Sequence, residues 1–494
     1  MTPYIWQTDN LTQALASLNP TWHNANDFTQ SIKIITDTRK IEQGDIFLAL
    51  KGDNFDGHDY VATAFDKGAS LAITSRVVGD FAQIGVDDTR LALGQLGKYR
   101  RDIHPNLTVV ALTGSSGKTT TKEMLGAIFG QFAPTLTTYG NLNNDLGVPM
   151  MLLELTDEHE FAVMELGANH VGEIAYTAGL VSPDVACVLN IGTAHLGEFG
   201  GRQNIAHAKA EIFSALTADG VAVLPFGDEF FDFLKNESAK FTQHYISFGE
   251  RAERADKALD FSKLSQAEMD ELSTLDSVLI MGDVFSDDVN CASTHSDFEL
   301  TVNLAIDELD STDVHLPFVG EHNVVNALAS TAIAIALGVP LDKIKSGLQH
   351  ATPPKGRLTR LSFGEHILID DTYNANSGSI HMAGKVLANQ SGQRILVLGD
   401  IGELGDEAVS EHAKLGQTLA MLDIDYILTV GTLMKHCTES LNNIRGNSEH
   451  FANKADLLEK LKTLLNEPSV ILFKGSRSAT METLIHDLTQ PVSE

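Results

Sequence analysis

The sequence predicts an α/β protein of three domains, and three observations support this fold class. The chain has 494 residues, and at roughly 100–200 residues per domain it is long enough for about three. Apolar, β-rich runs alternate with helical stretches over most of its length, as in parallel sheets covered by helices. Near position 114 a β-branched strand leads into a glycine-rich turn and a helix, which indicates a P-loop ATPase-like core.

The first part of the chain predicts a small α/β domain, which we assign to 1–105. An apolar strand is expected at 45–50, followed by a helix at 58–67 and a second strand at 70–74. This order of elements is that of a compact strand–helix–strand unit.

The second predicted domain covers 106–351 and is built on a parallel sheet. Its strands are expected at 108–112, 161–165 and 184–190, and its helices at 118–131 and 205–216. The alternation breaks at about 226–313, where the chain is polar and acidic, with weak strands at 277–280 and 298–304. We interpret this stretch as an insertion or β-rich extension of the central domain.

After two prolines the alternation restarts, which predicts a third, doubly wound Rossmann-like domain over 352–494. Its strands are expected at 367–370, 394–398, 426–430 and 470–473, and its helices at 379–388, 410–421 and 456–465.

The net charge of the chain argues against nucleic-acid binding. With 35 Lys and Arg against 66 Asp and Glu, the formal net charge is -31. Such a surface repels phosphate backbones, so nucleic-acid binding is not expected. Anionic ligands must instead be held by local cations, helix N-termini and metal ions.

Features at the ends and along the chain favour a soluble cytoplasmic protein, and a monomer is expected. The first residues lack the basic and apolar regions of a signal peptide. The longest apolar stretch, 326–339, is too short to span a bilayer. Cys187, Cys291 and Cys437 are far apart, so neither a zinc site nor a disulfide framework is predicted.

The glycine-rich turn is the strongest single motif. Its predicted nucleotide-binding residues are Gly114, Ser115, Ser116, Gly117, Lys118, Thr119 and Thr120. The glycines let backbone N–H groups close on phosphates, the lysine adds a positive charge, and the first threonine can reach Mg²⁺. Leu112 stands where the usual pattern has its first glycine. The alternatives are a structural turn or a nucleotide-dependent switch or chaperone, although no guanine-specificity motif is present.

Three side chains beyond the loop are candidates for the same site. Glu165 ends an apolar strand, where a carboxylate lies at the ligand cleft and suits Mg²⁺. His195 follows the next strand at the same edge, and Lys209 lies on a predicted helix. Each also has an ordinary interpretation, as a solvated glutamate, a structural histidine and a surface lysine lying along an apolar helix face.

Eight segments together resemble the Mur ligases in both content and order. They are 113–120, 139–145, 164–169, His195, 208–211, 320–327, 356–357 and 369–376. The match covers nearly the whole chain except 226–313. The segments at 36–39, 44–47 and 56–58 resemble the N-terminal domain of two members of this family.

The resemblance implies an ATP-dependent ligase of peptidoglycan synthesis that needs Mg²⁺. In such enzymes a substrate carboxylate takes the γ-phosphoryl group of ATP, and an amine then displaces phosphate from the acyl phosphate. The segments 140–145, 165–170, 371–376 and 399–405 favour the member whose substrates are UDP-N-acetylmuramoyl-tripeptide and D-alanyl-D-alanine. The tripeptide-forming member is the alternative within the family.

The same resemblance implies roles around the phosphates. Lys118 and Thr119 are expected to hold the terminal phosphates and one Mg²⁺, which Glu165 also binds. His195 is expected to bind a second Mg²⁺, and Lys209 to be carbamylated and so become an anionic metal ligand.

Further contacts with ATP are implied at five positions. Asn141 is expected near the γ-phosphate, and Asn323 and Asn326 near the adenine. Arg357 and Asp371 belong to the C-terminal domain but resemble nucleotide-contacting residues, which implies that domain closure completes the site.

Eight residues are expected to bind the two substrates. They are Thr38, Arg39 and Lys51 in the N-terminal domain, Asn143, Asn144 and His170 in the central domain, and Asn374 and Asn376 in the C-terminal domain. Arg39 and Lys51 are the cations expected at the UDP diphosphate, although either could be a solvated loop charge. The three central residues are expected at the muramoyl-peptide end, and the incoming dipeptide is expected at the C-terminal domain.

Overall fold

The computed structural model describes residues 2–52, 54–193, 196–250, 281–305 and 308–490. In this part of the chain the strands form sheets of two, five, nine and six strands. The three larger sheets follow one another along the sequence, each with its own helices and buried core. The predicted α/β class is confirmed, while the boundaries at 105 and 351 stay predictions.

The N-terminal part contains the five-stranded sheet and the two-stranded one. Its strands are β1 Trp6–Gln7, β2 Thr21–His23, β3 Gln30–Ser31, β4 Ile34–Ile35, β5 Ile46–Leu48, β6 Leu71–Thr74 and β7 Gln83–Gly85, and its helices are α1 Thr8–Ala14, α2 Val61–Asp66 and α3 Thr89–Asp102. The larger sheet has the order β2-β7-β6-β5-β4, antiparallel only at β2. Asp88 begins α3 by accepting hydrogen bonds from two free N–H groups of its first turn, at Arg90 and Leu91.

The central part is a nine-stranded sheet in the order β16-β15-β14-β13-β12-β11-β8-β10-β9. The strands are β8 Thr108–Thr113, β9 Thr135–Thr137, β10 Phe161–Glu165, β11 Val185–Val188, β12 Val221–Pro225, β13 His244–Glu250, β14 Met281–Cys291, β15 Ser296–Ala305 and β16 Glu308–Leu316. The helices are α4 Lys118–Phe129, α5 Gly147–Leu153, α6 Glu173–Val181, α7 Leu196–Phe199, α8 Arg202–Ala210, α9 Phe231–Ser238, α10 Glu321–Ala336 and α11 Leu341–His350. Strands β8 to β14 pair in parallel, so their carboxyl ends share one edge.

The acidic stretch extends this central sheet. Strands β13 to β16 continue it at one side, and β15 and β16 pair antiparallel. Phe298, Leu300 and Val302 lie at alternate positions of β15 and are buried in the same core as α10. The strand predicted at 298–304 therefore lies within β15, while the one predicted at 277–280 falls outside the described residues.

The single helix predicted at 205–216 is wrong. The α-helix ends at Ala210, and Glu211–Ala215 forms a tighter 3₁₀ turn. The Glu211 carboxylate accepts hydrogen bonds from the backbone of Gly172 and Ala175 at the start of α6. This tie, together with the burial of Phe213, fixes the turn against the sheet, and 3₁₀ turns are common at helix ends. Lys209 consequently lies in the last turn of α8.

The C-terminal part is a doubly wound six-stranded sheet in the order β17-β18-β22-β19-β20-β21. Its strands are β17 Thr359–Phe363, β18 His366–Asp371, β19 Gln393–Gly399, β20 Tyr426–Val430, β21 Ser448–Phe451 and β22 Ser469–Lys474, and its helices are α12 Ser377–Ala388, α13 Ala408–Leu419, α14 Met434–Asn442, α15 Lys454–Leu464 and α16 Glu482–Thr489. Only β17 runs antiparallel to its neighbour. Each strand and helix predicted here is present within two residues at either end.

Among the helices of the described ranges, none has both the length and the apolar character needed to cross a membrane.

Candidate active site

The glycine-rich loop lies between β8 and α4, at the carboxyl edge of the central sheet. Gly117 has a φ of 84°, a conformation that favours glycine. A side chain at Gly117 would also place its Cβ 2.3 Å from Oδ1 of Asn326, so the loop packs directly against α10. Asn326 is held in turn by Oδ1 of Asn323, to which it donates a hydrogen bond of 3.1 Å.

Lys118 begins α4 and points back over the loop. Its Nζ donates a hydrogen bond of 2.8 Å to the Gly114 carbonyl. Burial lowers the pKa of Lys118, and the nearby Arg357 adds to this effect while Glu165 opposes it. A lysine in this position can form a charge-assisted hydrogen bond with an anion that enters the cavity.

Glu165 ends β10 and is almost completely buried. Its Oε2 accepts a hydrogen bond from Oγ1 of Thr119 at 3.1 Å, and its Oε1 accepts one from Nδ2 of Asn143 at 2.8 Å. Its backbone N–H donates to Oγ1 of Thr138 at 2.9 Å, a support that the sequence did not reveal. The adjoining hydroxyl and carboxylate oxygens form a hard-oxygen donor set that fits Mg²⁺.

Lys209 lies in the same cavity as this pair, with only 4% of its surface exposed. Burial lowers the pKa of its amine well below the ordinary value, and the positive charge of Lys118 lowers it further. Both effects favour the neutral form of the amine. His195, the other residue predicted here, lies outside the described residues.

The C-terminal part contributes an arginine directly to the loop. Nη2 of Arg357 donates a hydrogen bond of 3.0 Å to Oγ1 of Thr119, and its guanidinium lies 4.6 Å from the centre of the Tyr373 ring. The same Thr119 hydroxyl contacts Glu165, so one atom joins groups from β10 and from the C-terminal part. Arg357 therefore lies at the glycine-rich loop, and its role in binding a nucleotide stays a prediction.

Asp371 ends β18 and forms a buried ion pair with Lys474 at the end of β22. Their side chains are 2.7 Å apart, and Lys474 also donates to the Asn374 carbonyl at 3.0 Å. Burial raises the pKa of Asp371, whereas the positive charges of Lys474 and Arg357 oppose that rise. Lys474 was not predicted, although its position at the end of an apolar strand is the same signal that identified Glu165.

Two adjoining cavities meet at the glycine-rich loop. The polar cavity, of about 330 Å³, is lined by the following predicted residues: Ser115, Ser116, Gly117, Lys118, Thr119, Asn141, Asn143, Asn144, Glu165, Lys209, Arg357, Asp371, Asn374 and Asn376. The apolar cavity, of about 590 Å³, includes Asn323, Asn326 and Thr120 among its lining residues. Its walls also include Phe318, Val325, Pro354, Leu358 and Met382, which form a surface suited to a flat ring.

Several predicted polar residues also have structural partners. Asn144 accepts a hydrogen bond from the Gly147 N–H at 2.8 Å, and Asn376 accepts one from Ser379 at the start of α12. Asn374 accepts one from the backbone N–H of Ala375. Both C-terminal asparagines are thereby held at the rim of the polar cavity.

Five predicted residues line neither cavity in the described structure: Gly114 of the glycine-rich loop itself, and Thr38, Arg39, Lys51 and His170. The Arg39 side chain is 86% exposed and bound to Asp37, with Nη2 at 2.8 Å from its carboxylate. His170 is exposed and paired with Glu173 at 3.0 Å. Their roles in binding stay predictions.

Comparison with known proteins identifies the class to which this fold and site belong. Three family models match the chain: "Mur ligase family, catalytic domain" at 32–100, "Mur ligase middle domain" at 112–334, and "Mur ligase, glutamate ligase domain" at 356–477. The chain belongs to the Mur ligase family.

Individual members of the family are similar to this chain over nearly its whole length. The UDP-N-acetylmuramoyl-tripeptide–D-alanyl-D-alanine ligase of Escherichia coli (strain K12) is 41% identical over 461 residues, covering 92% of this chain and 93% of that protein. A crystal structure of MurF from Acinetobacter baumannii superposes with a TM-score of 0.87 at 44% identity, covering 99% of this chain and 100% of that one. The structure of the MurF ligase from Thermotoga maritima in complex with ADP superposes with a TM-score of 0.76 at 26% identity, covering 92% of this chain and 97% of that one.

Proposed function

We propose that this protein is the ATP-dependent ligase that joins D-alanyl-D-alanine to UDP-N-acetylmuramoyl-tripeptide in peptidoglycan precursor synthesis, with release of ADP and phosphate. The observation that carries the proposal is the polar cavity, where Lys118, Glu165 and Lys209 meet Arg357 and Lys474. These groups are the ones needed to gather a triphosphate and a carboxylate in one place. The relatives named above supply the identity of the two substrates.

ATP occupies both cavities in this account. The apolar cavity takes the adenine beside Asn323 and Asn326, and the backbone N–H groups of the glycine-rich loop hold the phosphates. The γ-phosphate then projects into the polar cavity, toward Asn141. The contact between Arg357 and Thr119 supports an ATP site shared between the central and C-terminal parts.

Mg²⁺ fits the donor set of Thr119 and Glu165, and His195 is proposed for a second ion. When bound, the metal neutralises phosphate charge and so assists phosphoryl transfer. Asn143 orients the Glu165 carboxylate, because it donates to the oxygen that does not contact Thr119. This hydrogen bond holds the carboxylate in one rotamer before any ligand arrives.

The reaction proceeds in two displacements. A carboxylate oxygen of the muramoyl peptide attacks the γ-phosphorus, and ADP leaves. The amine of the dipeptide then attacks the acyl carbon, and phosphate leaves with that oxygen. Lys118, Arg357 and Lys474 surround the reacting phosphoryl group with positive charge, which stabilises the charge that develops in the transition state.

Lys209 acts as a carbamate in this proposal. A neutral amine is needed to capture CO₂, and burial favours that form of Lys209. The neutral amine adds to CO₂ and releases a proton, which leaves an anionic group with two oxygens beside Lys118. Such a group suits a hard cation and is attracted by the positive charge of Lys118.

The substrates are assigned to different parts of the chain. The UDP end is proposed to bind the domain at 1–105 through Thr38, Arg39 and Lys51, and the muramoyl peptide to reach Asn143, Asn144 and His170. The dipeptide is proposed to bind the domain at 352–494 through Asn374 and Asn376. The domain at 106–351 lies between them and binds ATP. A cytoplasmic monomer fits substrates of this kind.

Phosphate release from ATP should require both substrates together. The assay measures phosphate with UDP-N-acetylmuramoyl-tripeptide and D-alanyl-D-alanine, each alone and combined, with lysine or diaminopimelate as the third residue of the peptide. Release with both, and little with either, is expected, because the acyl phosphate forms only on the bound peptide and turns over only with the amine. Equal release with UDP-N-acetylmuramate and L-alanine would contradict the choice of family member. Release without any substrate would favour a nucleotide-dependent switch.

A further inference from the structure

The sheet extension formed by the acidic stretch ends in a hairpin that carries two histidines and an aspartate. Strand β14 ends at Cys291 and β15 begins at Ser296, and the turn between them is closed by a hydrogen bond from the Ala292 N–H to the His295 carbonyl at 2.9 Å. Asp297 on β15 lies directly opposite His315 on β16. His295, Asp297 and His315 therefore lie side by side at one end of the sheet.

The three side chains converge on a single point. Nε2 of His295 lies 3.1 Å from Oδ2 of Asp297, and Nδ1 of His315 lies 2.7 Å from Oδ1 of the same carboxylate. The ring centres of the histidines are 4.4 Å apart, and one ligand atom from each of the three residues lies within 4.8 Å of the others. All three side chains are partly exposed, at 30% to 56%, so an ion from solvent can reach them.

The surroundings favour a cation. Asp287, Glu299 and Asp313 lie opposite one another across three neighbouring strands, in a row next to that of Asp297 and His315. The β15 members of these rows, Asp297 and Glu299, share the outer face of the strand. Carboxylates facing each other across strands repel, and a nearby cation reduces that repulsion. The far nitrogen of His295 contacts Oγ1 of Thr294 at 3.0 Å, which orients the ring as outer partners do in metal sites.

We infer that His295, Asp297 and His315 form a binding site for a divalent transition metal ion of the zinc type. Two imidazole nitrogens and one carboxylate oxygen are donors that Zn²⁺ accepts in tetrahedral sites, with water as a fourth ligand. Mg²⁺ prefers an all-oxygen shell, so the donor set separates this site from the one at Thr119 and Glu165.

An ion bound at the hairpin would also affect the contact between the central and C-terminal parts of the protein. The carbonyl of Ser293, in the same turn, accepts a hydrogen bond of 2.9 Å from Nη1 of Arg360 on β17. Arg360 also donates to Oε1 of Gln390, so the turn is attached to the C-terminal sheet. An ion that joins the turn to β15 and β16 thereby stabilises the contact between the sheet extension and the C-terminal part.

The test is a calorimetric titration of the full chain, without an affinity tag, with Zn²⁺ in saturating Mg²⁺. One Zn²⁺ per chain is expected to bind at this site. Asp297→Asn and His315→Gln should each weaken binding at least about tenfold. His486→Gln is the matched control, because His486 is an exposed histidine that contacts Asp487 and Gln490 and is not one of the three proposed ligands. This variant should bind Zn²⁺ as the wild type does. Glu165→Gln should also leave Zn²⁺ binding unchanged.

Thermal unfolding with and without Zn²⁺ distinguishes a loss of metal binding from a loss of the fold. Zn²⁺ should raise the Tm of the wild type and of His486→Gln, but not that of Asp297→Asn. His295 lies in the turn outside the paired strands. The variant His295→Gln should therefore lose Zn²⁺ binding but keep its fold and its Mg²⁺-dependent ATP turnover. Equal Zn²⁺ affinity in the wild type and the three site variants, or no stoichiometric binding to the wild type, would overturn the inference.

Discussion

Replacing Lys209 with alanine should reduce ligation by a factor on the order of 10³, comparable to the loss of one strong electrostatic contact to a transition state. Formate or acetate should then restore part of the activity, because either supplies the carboxylate that the carbamate provides. The amine of Lys209 is buried beside Lys118 and has a lowered pKa, so its ammonium form is a poor partner for a metal-bound triphosphate. Ligation rates of Lys209→Ala with each additive measure this effect.

A small amine is the matched control for that rescue. Methylamine should fail to restore Lys209→Ala, whereas rescue by methylamine and not by formate would contradict the carbamate. Removing dissolved CO₂ should lower wild-type activity, and bicarbonate should restore it. A fully active wild type under CO₂-free conditions would contradict the carbamate in the same way.

The lowered pKa of Lys209 also predicts how stability depends on pH. Since the folded state binds this proton less well than the unfolded state, the free energy of unfolding should rise with pH between the lowered pKa and the ordinary 10.5. In Lys209→Met this contribution disappears. The free energy of unfolding of the wild type and of Lys209→Met is measured by denaturation without CO₂ across that pH range. The difference between the two free energies should become smaller as the pH rises.

Replacing Arg357 with alanine should lower kcat/KM for ATP on the order of 10³-fold, near the lower end of the contribution of an arginine at a transferring phosphoryl group. The substitution removes both the positive charge and the only hydrogen bond described here between the C-terminal part and Thr119. Binding of the UDP precursor should be nearly unchanged, because its UDP end is assigned to the N-terminal domain. Steady-state kinetics and calorimetry of the same variant separate the two effects.

Arg360→Ala is the control for Arg357→Ala. Arg360 also connects the C-terminal part to the central one, through the Ser293 carbonyl, but it contacts the hairpin and not the nucleotide loop. If Arg357 acts on ATP, Arg360→Ala should retain most of the kcat/KM for ATP. Similar losses in both variants would show that Arg357 serves only to hold the two parts together.

Strands β18, β19, β20 and β22 of the C-terminal sheet were predicted from the sequence, whereas the buried strand β12 and the shortest strands of the N-terminal part were not. The central residues of β18, β19, β20 and β22 form continuous β-branched or apolar runs, which is the pattern of a parallel sheet covered on both faces. Strands of two or three residues, such as Ile34–Ile35 in β4, contain too few residues for periodicity to emerge. The helix predicted at 205–216 was wrong because a tertiary tie at Glu211 ends it, and no local pattern encodes that contact.

The residues of the candidate site were also only partly predicted from the sequence. Lys118 and Glu165 follow from strand ends and loop chemistry, which are local properties. The pairing of Arg357 with Thr119 joins residues 238 positions apart, and no spacing rule predicts it. Lys474 was missed because the predicted strand stopped at 473, one residue before the carboxyl end where it meets Asp371. The cluster of His295, Asp297 and His315 depends on strand register, which the sequence does not display.

The most direct measurement of the central claim follows an oxygen atom. UDP-N-acetylmuramoyl-tripeptide labelled with oxygen-18 in its reacting carboxylate is incubated with ATP, Mg²⁺, D-alanyl-D-alanine and the enzyme, and the released phosphate is analysed by mass spectrometry. If the polar cavity forms an acyl phosphate, each phosphate carries one oxygen-18 atom, because the carboxylate oxygen leaves with the phosphoryl group. Unlabelled phosphate would show that water receives the γ-phosphoryl group and would contradict the account.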